Sequence, residues 1–95
     1  MTAPATARTV PAPDVLSAHL GDESILLDLD TKHYFRLNDS AAVIWRGLEA
    51  RERTDAIVAR VLAQFDVSED EARAAIDALI ADLRTKRLLA AADRA

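Results

Sequence analysis

The sequence predicts an α+β domain: a three-stranded antiparallel sheet followed by three helices in a winged helix-turn-helix-like arrangement. Three observations predict it. Apolar residues alternate with a period near two between Asp14 and Leu37, the period changes to 3.6 after Asn38, and a chain of 95 residues has room for a single core.

Residues 1–13 contain all three prolines, Pro4, Pro11 and Pro13, among small and polar residues. Such a composition buries too little surface to offset the entropy of ordering, so this segment is expected to be disordered. The sheet is then built from Asp14–Leu20, Glu23–Leu29 and His33–Leu37, separated by Gly21-Asp22 and by Asp30-Thr31-Lys32. A two-residue loop at Gly21-Asp22 pairs Leu20 with Glu23, Ala18 with Ile25 and Leu16 with Leu27. A three-residue loop at Asp30–Lys32 pairs Leu29 with His33, Leu27 with Phe35 and Ile25 with Leu37. Leu16, Ala18, Ile25, Leu27, Leu29, Phe35 and Leu37 then share the face that the helices cover, and Val15, Ser17, His19, Ser24, Leu26, Asp28, Tyr34 and Arg36 share the other.

The first helix follows the capping candidates Asn38, Asp39 and Ser40, with Ala41, Ile44, Trp45 and Leu48 on its apolar stripe, and ends near Gly47–Arg51. The second begins at the cap Thr54 and aligns Ile57, Val58, Val61, Leu62 and Phe65. The third opens at Ser68-Glu69-Asp70-Glu71, where the Ser68 hydroxyl and the Glu71 carboxylate form a capping box. Its stripe is Ala72, Ile76, Leu79, Ile80 and Leu83, and Arg84, Lys86 and Arg87 sit in its last turn, where cations suit the helix dipole. Leu88-Leu89 returns as a short extended piece. The expected organisation is a disordered segment over 1–13, one domain over 14–89 and a flexible tail over 90–95.

Several classes of chemistry have no support. The chain has no cysteine, which removes disulfides, thiolate metal sites and thiol nucleophiles. His19 and His33 lack the i, i+4 carboxylate or histidine company of a metal site and read as solvated strand residues. There is no G-x-S-x-G elbow, and two glycines far apart cannot make a phosphate loop. Glu69, Asp70 and Glu71 are explained by the helix dipole without catalysis. A DNA-binding winged helix would place Ser68–Arg87 against the bases, but the leading turn of that helix is acidic and the net charge is −4. No catalytic activity, cofactor, metal, nucleic acid or membrane is expected, and a cytoplasmic protein is the default. What remains is a surface. His33-Tyr34-Phe35-Arg36-Leu37 is an edge strand without proline and with two adjacent aromatics, suited either to an ordinary core contribution or to docking an extended peptide as a fourth strand. A small structural or dimerising domain using the same edge is the competing class.

The stretch Leu27-Asp28-Leu29-Asp30-Thr31-Lys32-His33-Tyr34-Phe35-Arg36-Leu37-Asn38, followed by Ala42, the pair Ile44-Trp45 and Leu48, resembles the PqqD-like proteins, as does the later Asp82-Leu83 through Leu88-Leu89. The likeness covers about Val15 to Leu89. It implies a RiPP recognition element, a non-catalytic module that holds the leader of a ribosomally synthesised precursor peptide and presents it to a separate modifying enzyme, either a leader peptidase, as in lasso-peptide biosynthesis, or a radical-SAM enzyme, as in PQQ biosynthesis. By position, the family's groove would use the backbone of His33, Tyr34, Phe35, Arg36 and Leu37. Tyr34, Phe35, Ile76, Ile80 and Leu83 would form apolar pockets, and Arg36, Arg73 and Arg84 would meet acidic leader residues. Lys32-His33 stands where the family often has glycine followed by a basic residue.

Overall fold

The computed structural model describes residues 8–92. Eight elements follow in order: β1 (Arg8–Pro11), β2 (Val15–Leu20), β3 (Glu23–Asp28), β4 (His33–Leu37), α1 (Asp39–Glu49), α2 (Thr54–Gln64), α3 (Glu69–Thr85) and β5 (Leu89–Ala92). The predicted α+β class stands: β2, β3 and β4 form an antiparallel meander in that order, and three helices follow.

The first hairpin has the predicted register, with Leu20 opposite Glu23, Ala18 opposite Ile25 and Leu16 opposite Leu27. Gly21 has φ +63, and no positive φ occurs at Asp22, the pattern of a type II′ turn that opens with glycine. The second hairpin is displaced by one residue from the expectation: His33 faces Asp28, Tyr34 faces Leu27, Phe35 faces Leu26 and Leu37 faces Ser24. The cause is local. The Asp28 carboxylate accepts from the Asp30 backbone N–H at 3.0 Å, the Lys32 N–H donates to the Asp28 carbonyl at 2.7 Å, and Lys32 turns back at φ 66. Asp28 thus closes a four-residue loop that takes Leu29 out of the strand.

Because side chains alternate, this slip reverses the expected face of β2 and β3 and leaves β4 as predicted. The covered face carries Val15, Ser17, Ser24, Leu26, Asp28, Phe35 and Leu37, whereas Leu16, Ala18, Ile25, Leu27 and Tyr34 lie on the outer one. α1 lies against the covered face and is buried on most sides through Ala42, Val43, Ile44, Trp45 and Leu48. Ile57, Val58 and Val61 of α2 and Ala72, Ile76 and Leu83 of α3 complete one continuous core with Leu26, Leu37 and Leu88.

The helix ends follow their caps. Asn38 accepts from the Ala41 N–H at 3.0 Å, and the Ser68–Glu71 capping box is present in both directions, at 3.1 and 2.8 Å. α2 instead starts at Thr54 behind Arg53, which makes no side-chain cap. α3 ends at Thr85, so that Lys86 and Arg87 fall beyond it, with Arg87 at φ 61.

Two terminal expectations are corrected. Arg8–Pro11 and Leu89–Ala92 pair antiparallel as a separate two-stranded sheet, Arg8 opposite Ala92 and Pro11 opposite Leu89. Val10 is buried there, and the Ala12 N–H donates to the Leu88 carbonyl at 2.9 Å, so tertiary pairing supplies what the local composition lacks. The remainder of the expected disordered segment and flexible tail, residues 1–7 and 93–95, lies outside the described residues.

Candidate functional site

In antiparallel strands, pairs that exchange main-chain hydrogen bonds alternate with pairs that do not. The residues flanking a two-residue turn form a bonded pair, so β2 bonds to β3 through Leu20–Glu23, Ala18–Ile25 and Leu16–Leu27. The Leu29 N–H donating to the Asp14 carbonyl at 2.9 Å continues that phase. Ser24, Leu26 and Asp28 therefore direct their main-chain groups toward β4 and meet Leu37, Phe35 and His33. It follows that Tyr34 and Arg36 turn their N–H and C=O groups to the outer edge of β4, along which no described strand lies. The described part of the C-terminal segment pairs with β1 and leaves this edge open.

The side chains of β4 divide between two faces. Tyr34 is 73% exposed on the outer face, beside Leu27 and Arg36, and Arg36 holds Glu23 at 2.9 Å. Phe35, on the covered face, is half-buried and packs against the core, and His33 meets its ring edge-on with centroids 6.4 Å apart. The Lys86 ammonium lies 5.9 Å from the centre of the Phe35 ring and 2.6 Å from the Asp82 carboxylate, which sets the C-cap of α3 beside β4. By helical spacing Leu79, Asp82 and Lys86 share one flank of α3.

The third-helix residues expected at the groove are placed differently. Ile76 and Leu83 are 0% and 2% exposed and form core. Arg73 bonds Asp55 of α2 and Glu69, each at 3.0 Å, and these bonds hold its guanidinium above the usual range. Arg84 donates to the Thr9 hydroxyl of β1 at 2.9 Å. Ile80, half-buried, shares this second flank by helical spacing. The structure thus brings His33–Leu37 together as one edge but directs Arg73 toward α2 and Arg84 toward β1, while Ile80 packs against the core. Periodicity finds the stripe of a helix but not which neighbour borders each side. Lys86, already read as a last-turn cation, was legible as a residue but not as a neighbour of Phe35.

A second polar cluster joins the sheet to α1. His19 shares hydrogen bonds with the Ser24 hydroxyl at 2.6 Å through Nδ1 and with Glu49 at 3.2 Å through Nε2, and Ser17 donates to the other Glu49 oxygen. Hydroxyl, imidazole and carboxylate stand in line as in a nucleophilic triad, but Ser24 is fully buried and offers no attacking oxygen. His19 is exposed, as expected of a solvated strand residue, and its two hydrogen bonds also make it a strut between β2 and α1. Among the described residues no group of three or more His, Cys, Asp or Glu is arranged to hold a metal ion. An open pocket of about 280 Å³ between Asp22, Asp39, Val43, Arg46 and Phe65 lies near the far end of β4.

Comparison with known proteins adds to this geometry. The family model described as Coenzyme PQQ synthesis protein D (PqqD) matches residues 23–89. The chain belongs to the PqqD family. The matched span of this PqqD-family protein runs from the start of β3 to the first residue of β5 and so includes the β4 edge and all three helices. Among solved structures it is similar to one described as TbiB1 in complex with the TbiA(beta) leader peptide. That likeness has a TM-score of 0.79 and 32% identity, over 84% of this chain and 93% of the other. It also shares its fold with a lasso peptide synthetase B1 complexed with the leader peptide, at a TM-score of 0.79 and 23% identity, over 87% of this chain and 98% of that one. No curated protein matches the chain. In the described residues of this PqqD-family chain, no helix is long and apolar enough to cross a membrane.

Proposed function

We propose that this protein captures the leader of a ribosomally synthesised precursor peptide by β-strand addition to β4 and presents it to a separate modifying enzyme, without catalysing a reaction itself. The observation that carries the reading is the open β4 edge, with Tyr34 and Arg36 as its free main-chain groups, in a chain so similar over its length to a protein solved with a leader peptide. A leader strand placed there sends alternate side chains to two surfaces. One set meets Tyr34 on the outer face, and the other meets Phe35, Leu79 and Lys86 between β4 and α3. A cytoplasmic location beside the precursor and its enzyme, a leader peptidase or a radical-SAM enzyme, fits this role.

Ordering a disordered leader offsets part of the contact energy, so an affinity of about −8 to −10 kcal/mol, micromolar to high nanomolar, is expected. The useful product is a raised local concentration of the precursor at the enzyme. Fluorescence anisotropy with a labelled candidate leader and a labelled DNA duplex, each at two salt concentrations, tests the reading. Leader binding that survives salt, and that weakens in Tyr34→Ala, supports it. Binding to the duplex that collapses with salt, and none to the leader, would overturn it in favour of a DNA-binding winged helix.

A further inference from the structure

The sheet has a second open edge. β2 is bonded to β3 on one side, and no described strand lies along the other. By the alternation established above, Ser17 and His19 direct their N–H and C=O groups to that side. Native edges are commonly protected by proline, lysine or a bulge, and β2, Val15–Leu20, contains no proline and no Asp, Glu, Lys or Arg. Its leucines are the most uncovered large aliphatics of the sheet, Leu16 at 54% and Leu20 at 58% exposure, both on the outer face. The strand is also held in place from beneath, since the Ser17 and His19 side chains are bound to Glu49 and Ser24.

The order of residues in β2 identifies the occupant. Leu16-Ser17-Ala18-His19-Leu20 reads apolar, polar, small, polar, apolar in either direction, so it is self-complementary about Ala18. Two such strands related by a two-fold axis at Ala18 set Leu16 against Leu20 of the second copy and Ser17 against His19, while Ala18 meets its own counterpart. The phase agrees. Ser17 and His19, the residues with outward main-chain groups, become the bonded pairs, and Ala18 falls at the unbonded pair on the axis. With no charged side chain on the strand, two copies meet without repulsion from its own residues. We propose that the chain associates with a second copy through antiparallel β2–β2 pairing, making a continuous six-stranded sheet with the two β4 edges at its outer ends.

The interface is narrow, one strand from each copy, so association is concentration-dependent. Sedimentation equilibrium of the full chain from about 10 μM to about 1 mM is expected to move from 10.3 kDa toward twice that mass. Leu16→Lys with Leu20→Lys, which alters only exposed side chains, holds the protein at the single mass with an unchanged circular dichroism spectrum. Because the chain has no cysteine, Ala18→Cys provides a geometric reading: air oxidation gives a covalent dimer at least about ten-fold faster than Asp77→Cys, a substitution at an exposed site on α3. A single mass over the whole range overturns the proposal and leaves the edge to a foreign chain or to none. So does equal cross-linking at the two cysteines, a dimer unaffected by the lysines, or open-ended polymer. None of these readouts involves the leader, so the proposal stands or falls separately from leader capture.

Discussion

Single residues set the shape of the sheet and the spacing of the helices. Asp28 is buried beside the loop it closes, and Asp28→Ala is expected to cost about 1 kcal/mol for the lost hydrogen bond, read as a lower urea midpoint. Leu26 is the one residue of β3 that supplies a fully buried apolar side chain to the core, and Leu26→Ala is expected to cost about 2–5 kcal/mol in the same measurement. Gly47 marks a close approach: a Cβ there would lie 2.7 Å from Ile57 Cγ1 on α2. Alanine improves helix propensity by about 1 kcal/mol, but overpacking at a buried contact costs about 1–3, so Gly47→Ala is expected to destabilise. Glu52 accepts from Arg60 at 2.6 and 2.8 Å, and that hydrogen bond holds its carboxyl below the ordinary 4.5. A folded value below the unfolded one means the contribution is complete above 4.5 and is lost as pH falls through the folded value. Glu52→Gln should therefore lose less stability than the parent between about pH 6 and about pH 3, read from the urea midpoints.

At the scale of elements, β4 shows how one residue of register redistributes the free main-chain groups of an edge. In the predicted pairing Phe35 lay opposite Leu27; in the structure it lies opposite Leu26 and spends its main-chain groups on β3. Arg36 instead offers its N–H to the free edge. Proline is tolerated on an edge strand where the N–H faces outward and is disruptive where it faces the ladder. Arg36→Pro is expected to keep the circular dichroism spectrum while reducing leader binding at least about ten-fold, whereas Phe35→Pro lowers stability as well as binding. Equal loss of fold in both would contradict the assigned phase. The same scale explains α3. Its stripe and capping box were legible because they depend on residues three and four apart, but Arg73 and Arg84 could not be assigned to a neighbour until Asp55 and Thr9 were in place.

At the scale of the molecule, the first and last described strands are clasped together. β1 and β5 pair across the whole intervening sequence, β1 packs on α1, and Val10 is buried by the arrangement. A truncation lacking residues 1–11 is expected to lose about 1.5–3 kcal/mol from Val10 alone and to unfold at lower temperature. The outcome to watch is the emission of Trp45, the single tryptophan, which is fully buried and reports loss of the core. An unchanged melting curve would show that the clasp adds nothing. The clasp also keeps the described C-terminal strand away from β4, so the edge proposed for the leader stays open.

The sequence by itself determined the α+β class, the β2–β3 register, the three helices, the Ser68–Glu71 cap and the candidate edge strand, because each follows from turn chemistry or from periodicity within a few residues. Ile25-Leu26-Leu27 is apolar on both faces, so alternation alone could not choose which face is covered. That choice passed to the Asp28 loop and to α1. Tertiary structure likewise decided the β1–β5 pairing, the strut from His19 to Glu49 and the two flanks of α3, because each depends on groups far apart in the chain whose meeting no local pattern encodes.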